Sequence, residues 1–498
     1  MKKKQFFNPY LPLTTYIPDG EPHKFGGRVY IYGSHDKPQG KAYCEDHYEV
    51  WSAPEDDLTD WRCEGTSYRR WQDPSNSEDT MQLWAPDITQ GPDGRYYLYY
   101  CYSFYPEIGV AVSKSPAGPF EFYGHVHYPA HLYNGAPVRE FMPFDPAVMT
   151  DLDGSVYLYY GFAPAEEKEM SFPSLDEMDL DGKTEDEVAM LERLSKIQFS
   201  EGAMAVQLED DMLTVKDVPA ICVPGGHIAA GSGFEGHAFF EASSIRRINS
   251  KYYFVYSSHK SHELCYAISD HPMHGFRYGG TIVSNGDIGY KGRTKPANVL
   301  GNNHGGMVKA NGEWYIFYHR QTNGTEFSRQ GCAEKIEILP DGSIPQVEMT
   351  SCGLNGGPLR AEGMYPASIA CHLTCPTTMD HIDYRNPVMQ TQMRITQQPS
   401  EATQHITAVA DGSVIGYKYF DFKDNKALKL KLKGKFVGEI YIAESEEALE
   451  TAQPQALTVQ SEDYNEYDVT LSIPNGKNAL FLKFTGEGAL DFESFTFA

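Results

Sequence analysis

Five short tyrosine-rich strands recur along this chain, and their spacing restricts the possible folds more than any other feature. They begin at Val29 (VYIY), Tyr96 (YYLYY), Val156 (VYLYY), Tyr252 (YYFVY) and Trp314 (WYIFY). Each follows a turn signal set between apolar runs: Gly26-Gly27, Pro92-Asp-Gly94, Asp151-Leu-Asp-Gly154, Asn249-Ser250 and Asn311-Gly312. A second hairpin comes after some of them, because the run from Val110 to Phe120 resembles that from Tyr266 to Phe276, and Tyr48 to Pro54 is a related piece. The strand starts lie 67, 60, 96 and 62 residues apart. All-β units repeating at this length stack radially, so the sequence predicts a five-bladed β-propeller with a narrow axial channel.

The longest interval holds an insertion at about 164–200. There Thr184-Glu-Asp-Glu187 forms a capping box ahead of Val188, Met190, Leu191 and Leu194, which predicts a short amphipathic helix on the surface or on a pocket wall. The repeat stops near Ser351. Beyond Gly353-Leu-Asn-Gly-Gly-Pro358 the chain changes to short strands expected around 365–373, 414–422, 427–433, 437–443, 467–473 and 479–484. Alternation in Leu428-Lys-Leu-Lys-Leu432 and Leu480-Phe-Leu-Lys-Phe484 reads as half-buried sandwich strands. The expected organisation is therefore an all-β chain, with a propeller over 1–353 and a jelly-roll-like β-sandwich over 354–498.

Composition narrows the partners. A net charge of −26 leaves no basic surface for counterion release, which argues against nucleic acid and against an anionic membrane. The nine cysteines are scattered, with no CxxC pair or zinc spacing, and are expected to be reduced and mostly buried. After Lys2-Lys-Lys4 the chain runs FFNPYLPL, without the apolar stretch of a signal peptide, so a cytoplasmic location is expected and the Asn323-Gly-Thr325 sequon carries no weight.

The chemistry sits in phase with the repeat. Counting back ten or eleven residues from each tyrosine-rich strand gives Asp19, Ala85, Asp145, Glu241 and His304. If these approach segments are equivalent, three carboxylates and a histidine converge at one mouth of the channel. Hydrolysis of a glycosidic bond needs two carboxyl groups with opposite proton tasks, and a third can hold the acid's proton on by like-charge repulsion. Asp19 lies between prolines in Ile17-Pro-Asp-Gly-Glu-Pro22. Asp145 lies in Phe141-Met-Pro-Phe-Asp-Pro-Ala147, and Glu241 follows His237-Ala-Phe-Phe240, an apolar setting that favours its protonated form. At the remaining position Trp84 offers either a sugar-stacking wall or a blade-core aromatic.

The set Pro18-Asp19-Gly20, Trp84-Ala-Pro-Asp87, Phe144-Asp145-Pro-Ala147, Phe240-Glu241-Ala242 and Asn303-His304-Gly305 resembles glycoside hydrolase family 43 over about residues 8–350. That resemblance implies a five-bladed propeller that cleaves α-L-arabinofuranosyl or β-D-xylosyl linkages with inversion. It implies Asp19 as general base, Asp145 as pKa modulator and Glu241 as general acid. Trp84, Phe144 and Arg329 would then face substrate, Arg329 having a surface salt bridge as its other reading. His304 corresponds to a histidine near an axial calcium or water cluster in many members, so an axial Ca2+ and a purely structural histidine are both open. No cofactor is implied for the chemistry, and the partner is a short oligosaccharide. A non-catalytic sugar-binding propeller, and a phosphorylase or transferase on a related fold, stay open as alternatives.

The C-terminal part, notably Ala410-Asp-Gly-Ser-Val-Ile-Gly-Tyr417-Lys-Tyr-Phe420-Asp-Phe422 and Phe492-Glu-Ser-Phe495, resembles a family 6 carbohydrate-binding module. All five tryptophans lie before it, leaving Tyr417, Tyr419 and Tyr464 as candidate stacking residues. A structural role packed against the propeller is the favoured expectation.

Overall fold

The tyrosine-rich strands become the second strand of each blade, because the glycine or asparagine before each of them folds the chain back on itself. Gly94, Gly154 and Gly312 take φ of 81°, 89° and 80°, a left-handed conformation that glycine adopts at little cost. In this computed structural model residues 5–133, 142–165, 198–378, 391–397 and 403–498 are described, together with Met178, Leu180, Val188, Leu191, Glu192 and Ser195.

Blade one contains β1 (Glu21–Phe25), β2 (Arg28–Tyr32), β3 (Tyr48–Pro54) and β4 (Arg62–Tyr68). Blade two contains β5 (Asp87–Gln90), β6 (Tyr96–Cys101), β7 (Ile108–Ser113) and β8 (Glu121–His125). Blade three contains β9 (Ala147–Thr150), β10 (Val156–Tyr160), β11 (Gly202–Leu208) and β12 (Ala220–Pro224). Blade four contains β13 (Phe239–Ile248), β14 (Lys251–Ser258), β15 (Glu263–Ser269) and β16 (Arg277–Ser284). Blade five has three strands, β17 (Met307–Ala310), β18 (Glu313–Gln321) and β19 (Arg329–Ile336). Each blade is a separate antiparallel meander with its strands in sequence order.

The ring closes between blades five and one. Residues 8–10 run along β19, with the Tyr10 amide donating to Gly331 O at 3.1 Å and the Ala333 amide donating to Asn8 Oδ1 at 3.1 Å. A parallel bridge pairs Gly20 with Gly305. On the axis, Arg246 of β13 donates to Glu21 Oε2 at 2.6 Å, Pro22 O at 2.8 Å and Met307 O at 2.8 Å, so one guanidinium ties three blades together. Between blades the cores are aromatic and aliphatic. Tyr97, Tyr99, Val110, Val148, Leu158 and Tyr160, for example, form one continuous cluster. All nine cysteines are free thiols and six are buried, as expected.

The helix expected in the insertion falls largely outside the described residues, although Val188, Leu191 and Glu192 are helical. The C-terminal domain is one curled, nine-stranded sheet: β20 (Leu359–Arg360), β21 (Gly363–Pro366), β22 (His372–Thr374), β23 (Arg394–Thr396), β24 (His405–Val409), β25 (Val414–Phe422), β26 (Ala427–Ala443), β27 (Gln455–Thr470) and β28 (Gly476–Phe497). Here the structure corrects the expected strands. The two over 427–433 and 437–443 are one strand, β26, which bends at Gly434 (φ 126°), where a Cβ would meet Ala489 O at 2.6 Å. β27 starts earlier than expected because it pairs only with β26, and as an edge strand it carries polar residues that mask its alternation.

This domain docks firmly on the propeller through buried polar groups. Lys418 Nζ lies 2.8 Å from Asp287 Oδ2 and 3.0 Å from Glu348 Oε1, Arg320 Nη1 donates to Ala370 O at 2.6 Å, and the Leu373 amide donates to Ala297 O at 2.7 Å. Removing one partner of a buried ion pair leaves the other charge without compensation. Lys418→Met is therefore expected to lower stability by roughly 3 kcal/mol in a urea titration followed by tryptophan fluorescence, whose signal comes from the propeller alone.

Candidate active site

Repeat equivalence delivers the expected convergence. Asp19, Ala85 and Asp145 each stand two residues before the inner strand of their blade, and His304 stands three before β17. Glu241 differs in lying inside β13, at a register shift followed by Ala242 at φ 67°. This bulge turns the Glu241 side chain to the place its counterparts reach from loops. Asp19 and Asp145 are themselves left-handed (φ 56° and 48°), a region that Asp tolerates better than most residues. All five residues line one cavity of about 520 Å³ at the mouth of the channel.

The environments of the carboxylates differ. Asp19 Oδ1 receives Arg329 Nη1 at 3.0 Å and lies 3.1 Å from His319 Nδ1. Burial alone would raise the Asp19 pKa. The Arg329 charge and the His319 contact outweigh burial and hold it well below the usual carboxylate range. Asp145 Oδ2 accepts from the Ala242 amide at 3.0 Å, and burial, followed by the charges of Glu241 and Asp19, pushes its pKa well up. Burial, then Asp19, raises Glu241 to about 8. One pocket thus holds a carboxylate that stays ionised and a carboxyl that keeps its proton at neutral pH.

Arg329 is the first residue of β19 and is buried, which corrects the surface-salt-bridge reading. Its Nε and Nη2 donate to Asp36 Oδ2 and Oδ1 at 2.8 and 3.0 Å, and its guanidinium lies 4.8 Å from the centre of the Tyr43 ring. A cluster of aromatic side chains lines the same pocket. Trp84 meets Phe104 and Phe144 at centroid distances of 5.1 and 5.0 Å, and Phe162 meets Phe144, Phe199 and Phe240 at 5.2, 4.9 and 4.7 Å. Trp84 and Phe144 both line the pocket. Sequence reasoning missed Asp36, His319, Tyr43, Phe104, Phe162 and Phe199. The first two have no counterpart in other blades, although His319 directly follows a tyrosine-rich strand and Asp36 ends Gly33-Ser-His-Asp36.

His304 lines the pocket with its Nδ1 3.5 Å from Asp145 Oδ2, and burial lowers its pKa to about 4. Its Nε2 is buried without a hydrogen-bond partner among the described residues. A neutral imidazole with an unpartnered nitrogen has one lone pair to offer a cation, whose remaining ligands would have to be oxygens such as those of water. Two other groupings of metal-ligand type are already paired internally, His23 with Asp87 at 2.5 Å and His237 with Glu263 at 2.7 Å.

In the C-terminal domain Tyr417 is buried in the sheet core with its hydroxyl donating to Ala367 O at 3.1 Å, so it is no sugar platform. Tyr419 donates to Glu348 Oε2 at 2.6 Å beneath Lys477, and Lys433 lies over Tyr464.

A five-bladed propeller whose axial pocket sets an ionised carboxylate and a protonated one against an aromatic wall is built for acid–base cleavage of a sugar linkage. The profile of Glycosyl hydrolases family 43 matches residues 8–213. Over 503 residues the chain is 46% identical to a xylosidase/arabinosidase of Thermoclostridium stercorarium, covering 99% of each. It is 29% identical over 366 residues to a beta-xylosidase of Xylanibacter ruminicola, covering 68% of this chain and 99% of that relative. The crystal structure of a glycoside hydrolase family 43 arabinoxylan arabinofuranohydrolase from Bacillus subtilis in complex with cellotetraose shares the fold, with a TM-score of 0.51 at 22% identity, covering 99% of this chain and 97% of that one. The chain belongs to glycosyl hydrolase family 43.

A buried carboxyl whose pKa is raised from the ordinary range to about 8 weakens the folded state as pH rises through that window, because the unfolded chain ionises first. Glu241→Gln is thus expected to match the parent's stability near pH 4.5 and to exceed it by on the order of 2–4 kcal/mol at pH 9, read from denaturant midpoints at the two pH values.

Proposed function

We propose that this protein is an inverting exo-glycosidase that removes β-D-xylosyl or α-L-arabinofuranosyl residues from the ends of short oligosaccharides. The observation that carries the reading is the opposite ionisation of Asp19 and Glu241 within one pocket. Asp19, ionised and with Oδ1 held by Arg329, takes a proton from water through Oδ2. Glu241, protonated, gives its proton to the leaving oxygen. Asp145, its own pKa pushed well up by burial and then by Glu241 and Asp19, accepts from the Ala242 amide and so positions the backbone beside the acid. The like charge that holds the proton on Glu241 is that of Asp19. Trp84 and Phe144 present ring faces and edges to the sugar, consistent with the names of the relatives, a xylosidase/arabinosidase and a beta-xylosidase. A cytoplasmic location would suit such a substrate, since short oligosaccharides can be imported.

The kcat/KM profile should fall on its basic side near pH 8 as Glu241 loses its proton. Glu241→Gln should cost about 10²- to 10⁴-fold on xylo-oligosaccharides and much less on a nitrophenyl glycoside, whose leaving group needs little acid help. Retention of anomeric configuration in the product, followed by proton NMR, would sink the inverting mechanism.

We further propose that His304 Nε2 would hold a Ca2+ whose other ligands are water oxygens, and that the ion when bound would supply positive charge to the pocket. Adding calcium to chelator-treated protein should then raise its unfolding temperature, and His304→Ala should abolish that response. An equal rise in the variant would exclude His304 as the ligand.

A further inference from the structure

Against a net charge of −26, one cavity at the seam between the propeller and the C-terminal sheet is basic. It measures about 810 Å³, and Lys260, Arg293 and Lys295 line it with Glu446 as the only carboxylate among its lining residues. Arg293 Nη2 meets Glu446 Oε2 at 2.5 Å, and Lys260 Nζ lies 3.6 Å from Glu263 Oε1. Lys295 is exposed and has no ion pair among the described residues. His259 Nδ1, also at this cavity, is buried without a hydrogen-bond partner among the described residues.

The cavity adjoins the active-site pocket, because Ser261 and Leu300 line both. Its direction follows from the chemistry. A general acid stands on the leaving-group side of the scissile bond. Glu241 pairs with Ser257 across β13 and β14, and the turn after β14 carries His259, Lys260 and Ser261, with the His259 amide donating to Ala238 O at 3.1 Å. The part of a substrate beyond Glu241 therefore leads past Ser261 into the basic cavity.

We propose that this seam cavity is a leaving-group subsite for a sugar carboxylate, so that the preferred substrates are oligosaccharides bearing a uronic acid on the leaving-group side. Lys295 and Lys260 supply the charge, while the Thr294 hydroxyl can meet neighbouring sugar oxygens. The geometry of the subsite rests on the proposed role of Glu241 as the acid.

The test compares a linear xylo-oligosaccharide with the same oligosaccharide carrying one glucuronic acid branch. Calorimetric affinities for the Glu241→Gln protein, and kcat/KM for the parent, are measured at low salt and at 0.5 M NaCl. The acidic oligosaccharide is expected to be favoured about three- to tenfold at low salt, with the preference collapsing at high salt. Lys295→Glu should bring the acidic-to-neutral ratio to one or below, whereas Lys435→Glu, an exposed charge on β26, should leave the ratio unchanged. Equal affinities for the two oligosaccharides, or a preference that survives Lys295→Glu, would overturn the proposal. Binding with the expected ratio but no hydrolysis by the parent would instead sink the hydrolase reading and leave the subsite standing.

Discussion

One buried guanidinium organises this molecule. Arg329 opens the last propeller strand, is gripped in two places by Asp36 after the second strand, and extends its remaining nitrogen to Asp19 before the first. The same contacts help close the ring between blades one and five and set the charge of the pocket. Three carboxyl groups crowd the channel mouth, and one cation cannot serve them all. The one it touches is held ionised; the two it does not touch take the raised pKa values that burial and like charge impose. The opposite ionisation of Asp19 and Glu241 is thus a consequence of which carboxylate lies within reach of Arg329.

The C-terminal sheet contributes through its position. Its polar seam, centred on Lys418 between Asp287 and Glu348, holds it on the propeller, and its Thr374, Cys375, Thr378 and Glu446 help line a cavity beside the active-site pocket. Tyr417, one of three aromatic residues offered as stacking candidates in this domain, lies in the sheet core instead. The domain thus contributes residues to the seam cavity and offers no aromatic platform at Tyr417.

The sequence was most legible where the repeat made independent positions comparable. Asp19, Asp145, Glu241 and His304 stood out from 68 acidic and 17 histidine residues because they fell at one phase of a five-fold pattern. Asp36 and His319 escaped the same reasoning because each is a single departure from that pattern, placed where blades one and five meet. The long curled strands of the second domain were divided or shortened in the reading for a local reason. Gly434 looks like a break when it is a bend, and an edge strand such as β27 has no second neighbour to demand apolar residues.

By itself, then, the sequence determined the number of blades, the turns that separate their strands and the identity of three convergent carboxyl groups, because period-two burial and left-handed turn residues are local properties that each segment expresses alone. Only the tertiary structure decided which carboxylate is ionised, which aromatics line the pocket and where the basic cavity lies. Those are outcomes of distance and desolvation between residues hundreds of positions apart, such as Asp19 and Arg329, and no local pattern encodes them.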